Sequence, residues 1–106
     1  MSEITFTDQN FTKEVEEDKG IVLVDFWAPW CGPCQQQGPI IEELAKEVED
    51  SKIGKLNVDE NQATASKYGV MSIPTIIIFK EGKPEEQLVG VYQKDDLKEK
   101  LKAFAK

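Results

Sequence analysis

The 106 residues carry thirteen basic side chains, all lysine, against twenty carboxylates; the net charge of −7 repels nucleic-acid phosphates and anionic membrane surfaces alike. Hydrophobic residues make up 40% and charged residues 31%, which suits one folded domain over 1–106 and excludes a disordered acidic chain. No stretch approaches the ~18 apolar residues of a membrane span, and with no histidine present neither a Cys-His nucleophile nor any site needing imidazole can be assembled.

The opening MSEITFTDQNF has neither the basic nor the apolar region of an export signal, so the chain is expected in the cytoplasm. A short strand is predicted over ITF (4–6), followed by a helical segment that carries Phe11 and Val15 and is capped by Asp8. IVLVDFW (21–27) is almost continuously apolar and β-branched, as befits a strand buried on both faces in the middle of a sheet. Ile40, Ile41, Leu44, Ala45 and Val48 then form one helical stripe, with Glu42, Lys46, Glu47 and Glu49 on the opposite face. A third strand is predicted over KIGKLNVD (52–59), with Ile53, Leu56 and Val58 as core candidates. Ala63, Ala65 and Tyr68 mark a short helix that Gly69 ends. TIIIF (75–79) repeats the buried-strand signature, and a turn at Lys80-Glu81-Gly82-Lys83 leads to a last strand over QLVGV (87–91). The C-terminal helix buries Leu97, Leu101 and Phe104 and turns Lys98, Lys100 and Lys102 outward. The order β-α-β-α-β-α-β-β-α predicts an α/β fold, a central mixed sheet of about five strands flanked by about four helices.

The only two cysteines stand three apart in WAPWCGPC (27–34), at the end of the buried strand. Pro33 suits the first turn of a helix, which places Cys31 at a helix N-terminus, where the macrodipole and free N–H groups favour thiolate. Cys34, one turn further in, is expected to be the more buried. As a structural staple the pair closes a loop so short that it contributes only about 2 kcal/mol. As a zinc site it offers half the usual ligand set. Reversible dithiol-disulfide chemistry needs two sulfurs within bonding reach and of unequal reactivity, and Cys-x-x-Cys beside a β-α-β pattern is a strong signal for it.

DFWAPWCGPC, followed by LNVDEN, by MSIPT ahead of an apolar strand, by FKEG and by LVG, resembles the thioredoxin family over nearly the whole chain, from Ile4 to Phe104. The resemblance implies the thioredoxin fold and reduction of disulfides in client proteins. It also implies a chain re-reduced by an NADPH-dependent thioredoxin reductase, with no cofactor or metal bound to the chain itself. Cys31 is then the nucleophile and Cys34 the resolving thiol, with Gly32 and Pro33 between them. Asp25 is the one charge in IVLVDFW, so burial should raise its pKa. The resemblance places it behind Cys34 as the group that moves the proton, and places Lys55 near it. Ile73-Pro74 reads as trans from the bare sequence, since only ~5–6% of X-Pro bonds in folded proteins are cis. The resemblance implies a cis bond set against the dithiol, with the backbone ahead of the proline free to pair with an extended client. Trp27 reads as core, whereas Trp30, Ile73, Pro74, Val89, Gly90 and Val91 match the family's apolar client-binding surface. The chain is expected to act as a monomer. One stretch departs from the family pattern: Gln35, Gln36 and Gln37 follow the second cysteine, where a basic and then an apolar residue are usual, and Gly38-Pro39 come next. Pro39 matches a family proline and should kink the helix.

Overall fold

The computed structural model describes residues 3–105. Five strands, β1 (Ile4–Phe6), β2 (Ile21–Trp27), β3 (Lys52–Asn57), β4 (Thr75–Lys80) and β5 (Lys83–Val89), form one sheet in the order β1-β3-β2-β4-β5. β1, β3 and β2 run parallel, while β4 is antiparallel to β2 and to β5. The two most apolar runs, β2 and β4, therefore lie at the centre, where both faces are covered.

Alternation along β2 separates two cores. Ile21 and Leu23 meet Ile53, Ile76, Ile78 and Leu88 under α1 (Gly32–Glu47) and α3 (Lys94–Ala105), which contribute Ile41, Leu44, Leu97 and Leu101. Val22, Val24 and Phe26 face the other way, toward Phe6, Phe11, Val15, Leu56, Ile77 and Phe79, with Ala65 from α2 (Gln62–Lys67). Asp25 shares the parity of Ile21 and Leu23, so it projects to the face that α1 covers.

Several expectations are corrected. The segment around Phe11 and Val15 is a single π-helical turn, Thr12–Glu16, and Asp8 does not cap it. Instead the Asp8 carboxylate accepts from the backbone N–H and hydroxyl of Thr64, 2.9 and 2.6 Å away in the first turn of α2, while Asn61 accepts from the Asp8 N–H at 2.8 Å. The stripe of α2 runs through Thr64 and Ala65 and leaves Ala63 exposed. β3 ends at Asn57, whose side chain accepts from the Asp59 N–H in a tight turn. β5 starts directly after the turn and stops at Val89, so Gly90 and Val91 lie beyond it. Pro39 lies inside α1, where its missing backbone N–H removes one bond of the helix, as expected. The turn itself is as expected: Glu81 and Gly82 both have positive φ, 54° and 81°, as in a tight two-residue hairpin. A Cβ on Gly82 would lie 2.1 Å from the Glu16 carbonyl oxygen, so the hairpin packs against the π-helical turn only with glycine there.

Candidate active site

The parallel register sets Trp27 at the C-terminal end of β2, and the chain turns through Ala28-Pro29-Trp30 into α1. Cys31 is the N-cap of α1, with extended backbone angles (φ −89°, ψ 116°) and Pro33 in the first turn. Its Sγ accepts from the Cys34 N–H at 3.2 Å. Cys31 and Cys34 are joined in a disulfide with Cα atoms 5.3 Å apart. The expected contrast in burial is small in this oxidised state: Cys31 is 5% exposed and Cys34 3%. Position, not exposure, distinguishes them, since only Cys31 stands at the helix terminus, where N–H groups and the macrodipole stabilise negative charge on sulfur. Gly32 and Pro33 are exposed between them.

The Ile73-Pro74 bond is cis and brings the Ile73 carbonyl oxygen to 3.6 Å from Cys31 Sγ. Pro74 is buried, and Ile73, itself partly buried, packs against the cysteines with Ala28 and Trp27. Trp27 is only half-buried. Trp30 is 71% exposed, with its indole N–H held by the Asp59 carboxylate at 3.0 Å. The Gly90 N–H donates to the Pro74 carbonyl at 2.9 Å, which draws the segment after β5 alongside the proline. Gly90 has φ of 102°, and the space where a side chain would stand is open. Val89 is 58% exposed and Val91 partly buried. Ile73-Pro74 thus links the dithiol, through the approach of the Ile73 carbonyl to Cys31, with the Val89–Val91 segment, while Trp30 directly precedes Cys31 in the chain.

Asp25 is fully buried, and neither carboxylate oxygen has a protein hydrogen-bond partner. Desolvation pushes its carboxyl up to about 7, against the opposing pull of the Lys55 ammonium. Lys55 is its register partner on β3, and the Lys55 ammonium pairs with Glu42 of α1 at 2.7 Å. A cleft of about 260 Å³ lined by Trp27, Cys34, Gln35, Gly38, Pro39, Glu42 and Lys55 opens beside this pair. Among the described residues, no cluster of three or more His, Cys, Asp or Glu is placed to hold a metal ion, and no helix is long and apolar enough to cross a membrane.

Sequence reasoning missed Glu42 and Asp59 as partners of Lys55 and Trp30, and it missed Gln37. Gln37 is fully buried, and its side chain bonds both backbone groups of Tyr92. A signal existed, because Gln37 precedes Ile41, Leu44, Ala45 and Val48 at helical spacing and so occupies a position on the apolar stripe.

The thioredoxin family model matches residues 2–103. The chain belongs to the thioredoxin family. A thioredoxin of Bacillus subtilis (strain 168) is 53% identical over 100 residues, covering 93% of this chain and 94% of its own length. A thioredoxin of Alicyclobacillus acidocaldarius is 50% identical over 99 residues, covering 92% and 93%. The solved structure of a mutant thioredoxin from Halobacterium salinarum NRC-1 superposes with a TM-score of 0.89 at 39% identity, covering 99% of this chain and 92% of that one. The fold is the thioredoxin fold, and the chain is a thiol-disulfide oxidoreductase, a protein-disulfide reductase whose redox pair is Cys31 and Cys34. Disulfide-bearing client proteins and a thioredoxin reductase are the kinds of partner that family membership gives it.

Proposed function

We propose that Cys31 is the attacking thiol, Cys34 the resolving one, and Asp25 the group that receives the Cys34 proton. The Cys31 thiolate attacks one sulfur of a client disulfide; a Cys31-client bond forms, the client S–S bond breaks, and the departing sulfur takes up a proton. Cys34 then gives its proton to Asp25 and attacks Cys31 Sγ, closing the intramolecular disulfide and releasing the second client thiol. The client gains the two electrons that the dithiol loses. Electrons return from NADPH through a thioredoxin reductase, so the chain itself needs no bound cofactor or metal. During attack the client lies extended against the Ile73 backbone, Trp30, Pro74 and Val89–Val91, where strand-like pairing gives affinity without demanding one sequence. Lys55 tunes Asp25 through its charge. The same reading has the chain working as a monomer in the cytoplasm, where such dithiols are kept reduced.

The observation that carries the assignment of roles is the position of Cys31 as N-cap of α1, with its sulfur beside the Ile73 carbonyl and its neighbour Cys34 inside the helix. The test is trapping. Cys34→Ser should accumulate covalent client adducts that dithiothreitol releases, and Cys31→Ser should accumulate none. Equal trapping by the two variants would overturn the assignment. Consumption of NADPH in the presence of a thioredoxin reductase and a disulfide-bonded protein such as insulin tests the route of the electrons.

A further inference from the structure

Gln37 stands three residues beyond Cys34 on α1, fully buried, and both polar atoms of its amide have a partner. Nε2 donates to the Tyr92 carbonyl at 3.0 Å, and Oε1 accepts from the Tyr92 N–H at 2.7 Å. This is the pair of bonds that a neighbouring strand would make, supplied by a side chain to a backbone in the irregular stretch between β5 and α3. Two residues earlier, Gly90 donates to the Pro74 carbonyl. The Gln37–Tyr92 bonds, the backbone from Tyr92 back to Gly90 and the Gly90–Pro74 bond therefore link the helix turn of Cys34 to the cis-proline segment.

We infer that Gln37 is a positioning residue for client binding: it fixes the Val89–Val91 rim relative to the dithiol. The inference rests on the proposed client surface and adds to it the group that sets its geometry. An apolar side chain of equal length would fill the same space but leave the Tyr92 N–H and C=O without these partners in a partly buried place. The rim would then shift outward until water meets them, because an unmet polar group shielded from solvent costs more than a small loop movement. Cys31 and Cys34 are held by their places at the N-cap and in the first turn of α1, so chemistry on a small disulfide that does not touch the rim stays as it was.

The experiment compares the wild type with Gln37→Met in the reductase-coupled assay, using insulin as protein disulfide and dithiobis(2-nitrobenzoate) as small disulfide. In parallel, hydrogen exchange of the Tyr92 amide is followed by NMR. Gln37→Met should raise KM for the protein client about fivefold with kcat within about twofold, leave the small-disulfide rate within about twofold, and accelerate Tyr92 exchange about tenfold. Gln37→Glu keeps the length and one acceptor for the Tyr92 N–H; it should fall between, and it carries the same comparison should Gln37→Met fold too poorly to assay. Accelerated Tyr92 exchange with an unchanged protein KM would overturn the inference, as would equal slowing of both substrates. A wild type inactive on insulin would instead sink the reading of the client surface on which the inference rests.

Discussion

Asp25 gives up stability to hold a group that can change charge near neutral pH. In β2 its neighbours Val24 and Phe26 are fully buried, and its carboxylate oxygens meet no protein donor, so ionisation is opposed by burial and favoured only by Lys55. With its carboxyl titrating at about 7, the fraction of Asp25 that is ionised, and so free to take the Cys34 proton in the proposed mechanism, grows as pH rises through that value. Resolution of a preformed Cys31-client disulfide, followed by rapid acid quench, should therefore speed up as pH rises through about 7. Asp25→Asn should remove that rise and slow resolution on the order of a hundredfold, while initial attack by Cys31 changes less than about threefold. Lys55→Gln removes the charge that favours the ionised form, so the rise should move to higher pH. Asp25 was legible because a lone charge in an apolar strand is an anomaly. Gln37 was overlooked because glutamine is a good helix former and reads as surface, although its place on the stripe of Ile41 and Leu44 argues burial.

Among the elements, α2 is the clearest case of a helix whose start is set from elsewhere in the chain. It has only six residues, too few to be stable alone, and its N-cap Asn61 makes no side-chain bond to its first turn. Asp8 supplies that bond to the Thr64 N–H across 56 positions, and the Asn61 side chain accepts from the Asp8 N–H in return. Asp8→Ala should cost about 1 kcal/mol in urea unfolding, the usual value of a lost cap, and Asp8→Asn, which keeps the acceptor, clearly less. Sequence reading found Asp8 as a capping residue and gave it the wrong helix, since local pattern carries no information on a partner so distant. The strands divide in the same way. β2 and β4 were legible from their β-branched runs, because burial on both faces leaves little freedom of composition. β5 was misplaced because KPEEQ reads as loop, yet it pairs along β4 as an edge strand, where Pro84 and exposed charges are tolerated and discourage pairing with another chain.

For the molecule as a whole, two sets of carboxylates pull stability in opposite directions with pH. Asp8, bonded by Thr64, and Glu16, bonded by Lys67 and Tyr68, are held below their ordinary range; Asp18 is too, its partial burial being outweighed by Lys52 and the Gly20 N–H. Glu47 is lowered to about 2 by Lys94 and Lys98. These groups bind fewer protons in the folded state than in the unfolded one, so what they contribute is present above about pH 4 and is lost on acidification. Asp25 has the reverse sign. Its folded-state value of about 7 exceeds the ordinary 3.8, so between those limits the folded chain holds more protons than the unfolded chain, and stability falls as pH rises. The slope is about 1.4 kcal/mol per pH unit, which levels off above about 7. Urea unfolding of the oxidised protein at about pH 5.5 and about pH 8 isolates this group, since both values lie above the range in which the other four titrate. Asp25→Asn, which cannot ionise, should gain about 2 kcal/mol relative to wild type on going from about pH 5.5 to about pH 8. A difference between the two proteins that does not change with pH would mean that Asp25 is solvated in the folded state, and the proton transfer assigned to it would lose its physical basis.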